Sequence, residues 1–174
     1  MKFYTGLGDK GTSTLLGQNK RISKNDLRFE ALGASDELNS YLGICGALAK
    51  DKQIKSALLE AQENLFIIQA ELGGAKNVEL GENKLKDLEK MIDELGKFVG
   101  PITKFTISGG NLLSAHLDYA RALARRAERS VWAAKPPLGG LAAKYLNRLS
   151  SFLFVLARYV NKKAKLKESH PSYK

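Results

Sequence analysis

Asp118-Tyr119-Ala120-Arg121-Ala122-Leu123-Ala124-Arg125-Arg126-Ala127-Glu128-Arg129 decides the fold class. Leu113, Leu117, Ala120, Ala124, Ala127 and Val131 run through and around it at steps of three and four, the period of a helix with one apolar face. Arg121, Arg125 and Arg129 are spaced by four, so they stack along one edge of that helix. Like charges at this spacing destabilise an isolated helix by about 0.2–0.5 kcal/mol per pair. Asp118 is positioned to pair in part with Arg121, and Glu128 with Arg125. The remaining positive charge suits forked recognition of phosphate or carboxylate. An Arg-rich solvated face is the competing reading. The two stand level, because the apolar stripe runs beside this edge and holds it near the core.

The same period extends outward. Gly109-Gly110 precede this helix and Pro136-Pro137 stop it. Upstream, Ala31, Ala34, Leu38, Tyr41, Leu42, Cys45, Leu48 and Ala49 form one stripe, with Asn25 or Asp26 as N-cap. Ile54, Leu58, Ala61, Leu65, Ile68 and Leu72 form a second, closed by Gly73-Gly74. Leu85, Leu88, Ile92, Leu95 and Val99 form a third, closed by Gly100-Pro101. Downstream, Ala142, Tyr145, Leu149, Phe152, Leu156 and Tyr159 form the last. Five amphipathic helices with short connections predict an all-α, antiparallel five-helix bundle. Only Lys2 to Thr5 and Lys104 to Ile107 alternate as a short strand would. The chain divides into a Gly-rich loop over 1–25, the bundle over 26–160, and a Lys-rich tail over 161–174 expected to fray.

With 174 residues, one domain is expected. A single Cys excludes an internal disulfide framework, and two His make a protein-built metal site poorly supported, so no metal ligands are assigned. No apolar leader opens the chain, and Leu149 to Ala157, the longest charge-free run of the last helix, falls short of the about 20 residues a membrane span needs. A cytoplasmic protein that does not enter the membrane is the expectation. The net charge of +10 lies wholly in the second part, since residues 1–100 carry 14 basic and 15 acidic side chains, and residues 101–174 carry 14 and three. That asymmetry implies an anionic partner: nucleic acid, a membrane surface or a polyphosphate.

Thr5-Gly6-Leu7-Gly8-Asp9-Lys10-Gly11-Thr12-Ser13-Thr14 matches the bare G-x-G-x-x-G spacing. The dinucleotide reading fails, because that motif needs a preceding strand and a βαβ unit. The P-loop reading fails because Thr12 stands where the Lys is required. Glycines still let backbone N–H groups approach an anion, with Lys10, Ser13 and Thr14 as further donors. By composition alone a flexible terminus is the better reading. Lys24 precedes the first helix, where a cation is disfavoured by the macrodipole unless a phosphate offsets it; a solvated Lys is the plainer reading. Asp36 is one step off the stripe of the first helix and is a candidate partner for one of the arginines, or an ordinary surface acid. Asn147 and Ser151 form a polar strip on the last helix. Phe105 lies in the loop before Gly109-Gly110, where a Phe usually covers the core. Cys45 and His116 read as helix residues rather than as nucleophile or ligand.

Singly these signals are weak, but their order is specific. Tyr4 to Gly11, Ser23-Lys24-Asn25-Asp26 with Glu30-Ala31, Asp36-Glu37-Leu38-Asn39-Ser40, Arg125-Arg126-Ala127-Glu128-Arg129 and Tyr145 to Ser150 resemble the PduO-type ATP:corrinoid adenosyltransferases. The resemblance covers residues 4 to about 158. It implies transfer of the 5′-deoxyadenosyl group of ATP to the cobalt of reduced cobalamin, in a homotrimer with active sites between subunits. It implies that Thr5, Gly6, Leu7, Gly8, Ser13, Thr14 and Lys24 lie around the ATP. Arg125, Arg126, Ala127, Glu128 and Arg129 would hold the triphosphate, with Asn147 contributing. It also implies that Asp36 pairs with Arg121 across the subunit boundary. Phe105 would sit under the corrin and keep the lower axial base off cobalt, which eases reduction to Co(I). Mg²⁺ would accompany the nucleotide. A cobalamin reductase and an adenosylcobalamin-dependent enzyme are the implied partners. The sequence departs from the pattern at Ser151, where Asp is common, at Ser108, where Pro is usual, and at Ser13, often Thr. A basic helical nucleic-acid-binding protein is the runner-up, and an inactive ATP-binding regulator on the same fold is a third reading.

Overall fold

The computed structural model describes residues 1–135 and 140–173. Five helices carry the chain: α1 Leu27–Leu48, α2 Lys52–Leu72, α3 Glu82–Val99, α4 Leu112–Ala133 and α5 Leu141–Lys163. The stripes expected from the sequence supply the core. Leu38, Leu42, Leu58, Leu65, Leu117, Leu146 and Leu149 are fully sealed, and each such side chain contributes roughly 1.5–3 kcal/mol relative to exposure. Spatial neighbours run in the order α2, α1, α4, α5, α3. Glu37 on α1 meets Arg126 on α4 while Tyr41 meets His116, so these two helices are antiparallel. Asp118 with Arg158, and Glu128 with Asn147, set α4 against α5 in the same way. α3 runs along α5 in the same direction, with Glu89 against Arg148 and Phe98 against Tyr159.

Local chemistry sets the ends. Asp26, not Asn25, caps α1, and its carboxylate accepts from the backbone and guanidinium of Arg28. Those hydrogen bonds hold the Asp26 carboxyl down at about 2. Asp51 caps α2 and Asn111 caps α4. α4 closes at Ala133, and the Pro136-Pro137 stop lies outside the described residues. In the core Asn64 Nδ2 donates to the Tyr145 phenol oxygen at 3.0 Å; burial pushes the Tyr145 phenol up to about 12. Burial likewise pushes the Cys45 thiol up to about 12, so it is core and not a nucleophile.

Two sequence expectations are corrected. Lys2 to Thr5 and Lys104 to Ile107 form no strand; instead β1 (Thr12–Ser13) pairs antiparallel with β2 (Ile22–Ser23). The reason is partnership, since a strand needs a facing backbone and Thr12 to Ser23 folds back on itself. The last helix does not stop at Val160. α5 continues to Lys163, anchored by Lys163 on Asp51 and by Lys162 on the Val99 carbonyl, and residues 164–173 fold back against the loop before α4. Among the described residues, no helix is long and apolar enough to cross a membrane.

Candidate active site

The loop between α3 and α4, the middle of α4, the middle of α5 and the segment after α5 line an open cavity of about 890 Å³. That is in the range of small-molecule sites. Phe105 stands at its rim, 79% exposed, so it does not cover the core as a loop Phe usually would. Arg121 and Arg125 line it from α4, and Ser150, Ser151 and Phe154 line it from α5. The Arg121 and Arg158 guanidiniums lie 5.5 and 5.1 Å from the centroid of the Phe154 ring, within cation–π range. An aromatic wall beside two guanidiniums fits a large, largely apolar ligand next to a polyanion.

The pairings expected within α4 do not form. Asp118 faces Arg158, with Nη2 donating to Oδ2 at 2.7 Å, and not Arg121. Glu128 accepts from Asn147 at 3.1 Å, and not from Arg125. A buried guanidinium gains more from a carboxylate than an exposed neighbour does, so Arg158 captures Asp118. Arg121 and Arg125 thereby stay available to the cavity. Arg126 pairs with Glu37 across α1 and α4. Arg129 is exposed and outside the cavity lining, and Ala127 is sealed in the core. Asn147 bridges Glu128 and Arg148. Asp36 is exposed on α1 and makes no ion pair among the described residues.

The N-terminal loop is folded, not loose. Arg21 ties it together, donating to Thr12 Oγ1 at 2.9 Å and to the Leu7 and Thr12 carbonyls. Successive turns close Gly6 to Asp9 and Gly8 to Gly11, and the Lys24 amide donates to the Gly11 carbonyl. The Lys24 ammonium lies 3.0 Å from where a Gly8 side chain would begin, so cation and backbone meet closely there. Leu15 is buried, and Leu16 packs on Gly73 at the end of α2. Thr5, Gly6, Leu7, Gly8, Ser13 and Lys24 lie in this folded arm, while Thr14 lines a pocket with Leu32, Phe66 and Gly73. None of them lines the cavity that holds Arg121, Arg125 and Phe105.

A family model described as "Cobalamin adenosyltransferase" matches residues 3–160. The chain belongs to the cobalamin adenosyltransferase family. A corrinoid adenosyltransferase from Citrobacter freundii is 40% identical over 165 residues, covering 90% of this chain and 93% of that protein. One from Mycobacterium leprae is 39% identical over 175 residues, covering 92% and 91%. Among solved structures, a variant PduO-type ATP:corrinoid adenosyltransferase from Lactobacillus reuteri, complexed with cobalamin and ATP, superposes with a TM-score of 0.90 at 30% identity, over 98% of this chain and 99% of that one. The cobalamin adenosyltransferase fold is thus established over nearly all of this chain.

Arg21, Arg158, Asn161, Glu168 and His170 escape a reading by helical period. Arg158 had one usable signal, a lone cation directly after the charge-free run Leu149 to Ala157. Arg21, Asn161 and His170 act through backbone groups, and Glu168 through the Arg158 and Asn161 side chains, all brought close only by folding.

Proposed function

We propose that the protein transfers the 5′-deoxyadenosyl group of ATP to the cobalt of cob(I)alamin, releasing triphosphate. The observation that carries this is a Phe105-rimmed cavity lined by the guanidiniums of Arg121 and Arg125, which make no ion pair within one chain among the described residues. Co(I) attacks the ribose C5′, the Co–C bond forms, and the C5′–O bond breaks with its electron pair leaving on the triphosphate. The nucleophile is the metal of the substrate and the leaving group is a polyphosphate, so no general base is required. Positioning and charge stabilisation remain for the protein. Arg125 meets the charge growing on the leaving oxygen, with Arg126, Glu128, Arg129 and Asn147 around the triphosphate and Arg121 holding the site together across the subunit boundary. Ala127, sealed between them, serves by its small size, which keeps the Arg-bearing edge close to the core. Phe105 meets the lower corrin face.

Residues 1–25 form the nucleotide-binding loop of this reading. Thr5, Gly6, Leu7, Gly8, Ser13, Thr14 and Lys24 surround the phosphates and sugar of ATP. Mg²⁺ enters with the nucleotide, carried by phosphate oxygens; among the described residues no group of three or more His, Cys, Asp or Glu is arranged to hold it.

The assembly is a homotrimer with its sites between protomers. Two features support this. The nucleotide cradle and the arginine cavity are separate within one chain, so a second copy is needed to unite them. The exposed face of α1 and α4 also carries Ile44, Leu112 and Tyr119 among small residues such as Ala47, Ala115 and Ala122. Across that boundary Asp36 of one protomer pairs with Arg121 of its neighbour. Light scattering should give three times the 19.1 kDa chain mass. The setting is cytoplasmic, with a reductase supplying the electron and an adenosylcobalamin-dependent enzyme receiving the product.

Incubation with ATP and cob(I)alamin under strict reduction should yield a light-sensitive Co–C product and triphosphate. Absence of turnover defeats the enzyme reading, and ATP binding without product would make the protein a regulator on this fold. The nucleic-acid reading has less support, because Arg126, Arg148, Arg158 and Lys163 are engaged in ion pairs. A steep fall of DNA affinity with salt would favour it.

A further inference from the structure

The segment after α5 is tied to the loop that carries Phe105. It turns back at Lys165, whose φ is +55°. The Glu168 carboxylate then meets two side chains buried in α5: Arg158 Nε at 2.6 Å and Asn161 Nδ2 at 2.9 Å. Beyond that latch, the Ile107 amide donates to the Ser169 carbonyl at 2.9 Å, and His170 Nδ1 lies 2.8 Å from the Phe105 carbonyl. A carbonyl only accepts, so Nδ1 carries the proton. The far end of the same loop is fixed from the helices. Asn161 donates to the Gly109 carbonyl and accepts from the Asn111 amide, and Asp118 accepts from the Gly109 amide. Phe105 is thus held by its own backbone, between a helix-anchored end and a folded-back segment, while its ring stands exposed at the cavity rim.

We propose that residues 166–173 are a strap that sets where the Phe105 ring sits, with Glu168 as its latch and His170 as its point of contact, so that both are positioning residues for corrinoid adenosylation. The inference rests on the proposed function for its catalytic consequence and on the contacts above for its structural one. The loop backbone at Phe105 and Ile107 finds its partners in this strap and in no helix. Without them the carbonyl and amide turn to water, and the ring is free to leave the corrin face. A displacement of about 1 Å at such a group is enough to cost up to about 10²-fold in rate. Arg125, which meets the triphosphate, stands on α4 and makes no contact with the strap's latch, so KM for ATP is expected to hold although His170 lines the same cavity.

The test uses full-length Glu168→Ala, His170→Ala and His170→Asn, the last because a carboxamide N–H replaces the imidazole donor. Hydrogen exchange at the Ile107 amide should quicken by about tenfold in the two Ala variants, the change that loss of one ordinary hydrogen bond produces. KM for cob(I)alamin should rise and kcat fall by a similar factor, with KM for ATP unchanged, and His170→Asn should recover most of the loss. Unchanged Ile107 exchange in both Ala variants overturns the strap. So does an equal rise in both KM values without rescue by Asn, which would mark general damage. If wild-type protein makes no adenosylcobalamin, the proposed function fails, and the Ile107 exchange still decides the strap on its own.

Discussion

The Arg158 guanidinium and the Asp118 carboxylate lie 2.7 Å apart with their side chains only 2% and 4% exposed. This pair couples α5 to α4 directly beneath the cavity, and each charge is tolerated because the other neutralises it. Glu168 adds a second carboxylate to the same guanidinium, from 2.6 Å.

Removing one partner should be far worse than removing both. Asp118→Ala is expected to lower unfolding free energy by about 3 kcal/mol, because it strips a buried cation of its more deeply buried partner and leaves it only Glu168. The double variant Asp118→Leu with Arg158→Met should lie much nearer wild type. Urea unfolding of the single and double variants checks this, and additive losses would argue against coupling.

Arg125→Ala should lower kcat by roughly 10²-fold, the usual scale for removing one group that stabilises charge in the transition state. The protein should remain folded, since Arg125 is exposed on α4. An unchanged rate at saturating ATP would take Arg125 out of the reaction.

Phe105→Ala should slow adenosylation much more than it weakens ATP binding. Its ring is almost fully solvated in one chain, so stability should shift by no more than about 0.5 kcal/mol. Comparable losses in rate and in ATP affinity would make the residue merely structural.

Gly110→Ala should disturb the Phe105 loop. At φ +103° a side chain is strained, and its Cβ would come within 2.3 Å of the Asn161 carboxamide. A loss of about 1–3 kcal/mol is expected, read as a lowered thermal midpoint. Retention of the wild-type midpoint would show that Asn161 yields.

Cys45 should resist alkylation at pH 8 while the protein is folded and react on unfolding. Its thiol is fully buried and raised to about 12, so the folded state holds essentially no thiolate below that range. The sign follows: folding disfavours ionisation here, so Cys45 favours the folded state at neutral pH and that contribution is lost as pH climbs toward 12. Rapid labelling of native protein would contradict the burial.

Much of the fold was legible because it rests on period and punctuation. Leu38 with Leu42, and Leu117 with Ala124, announce buried faces by spacing alone, and Gly73 and Gly100 mark where two helices stop. The site was legible only as residue types. Period predicted Arg121 beside Asp118 and Arg125 beside Glu128, yet Asp118 belongs to Arg158 and Glu128 to Asn147. Local spacing ranks neighbours along one helix, whereas burial ranks them by how much each charge gains from a partner.

By itself the sequence determined the five helices, their apolar faces, the Gly-rich arm and the order of blocks that marks the family. Tertiary structure alone decided that the Lys-rich C-terminal segment folds back onto the Phe105 loop, that Arg21 knots the N-terminal arm, and that this arm and the arginine cavity are separate within one protomer. The physical reason is range. Helical period is a property of residues three and four apart, while hydrogen bonds such as Ile107 to Ser169 join groups that are neighbours only after the chain has closed.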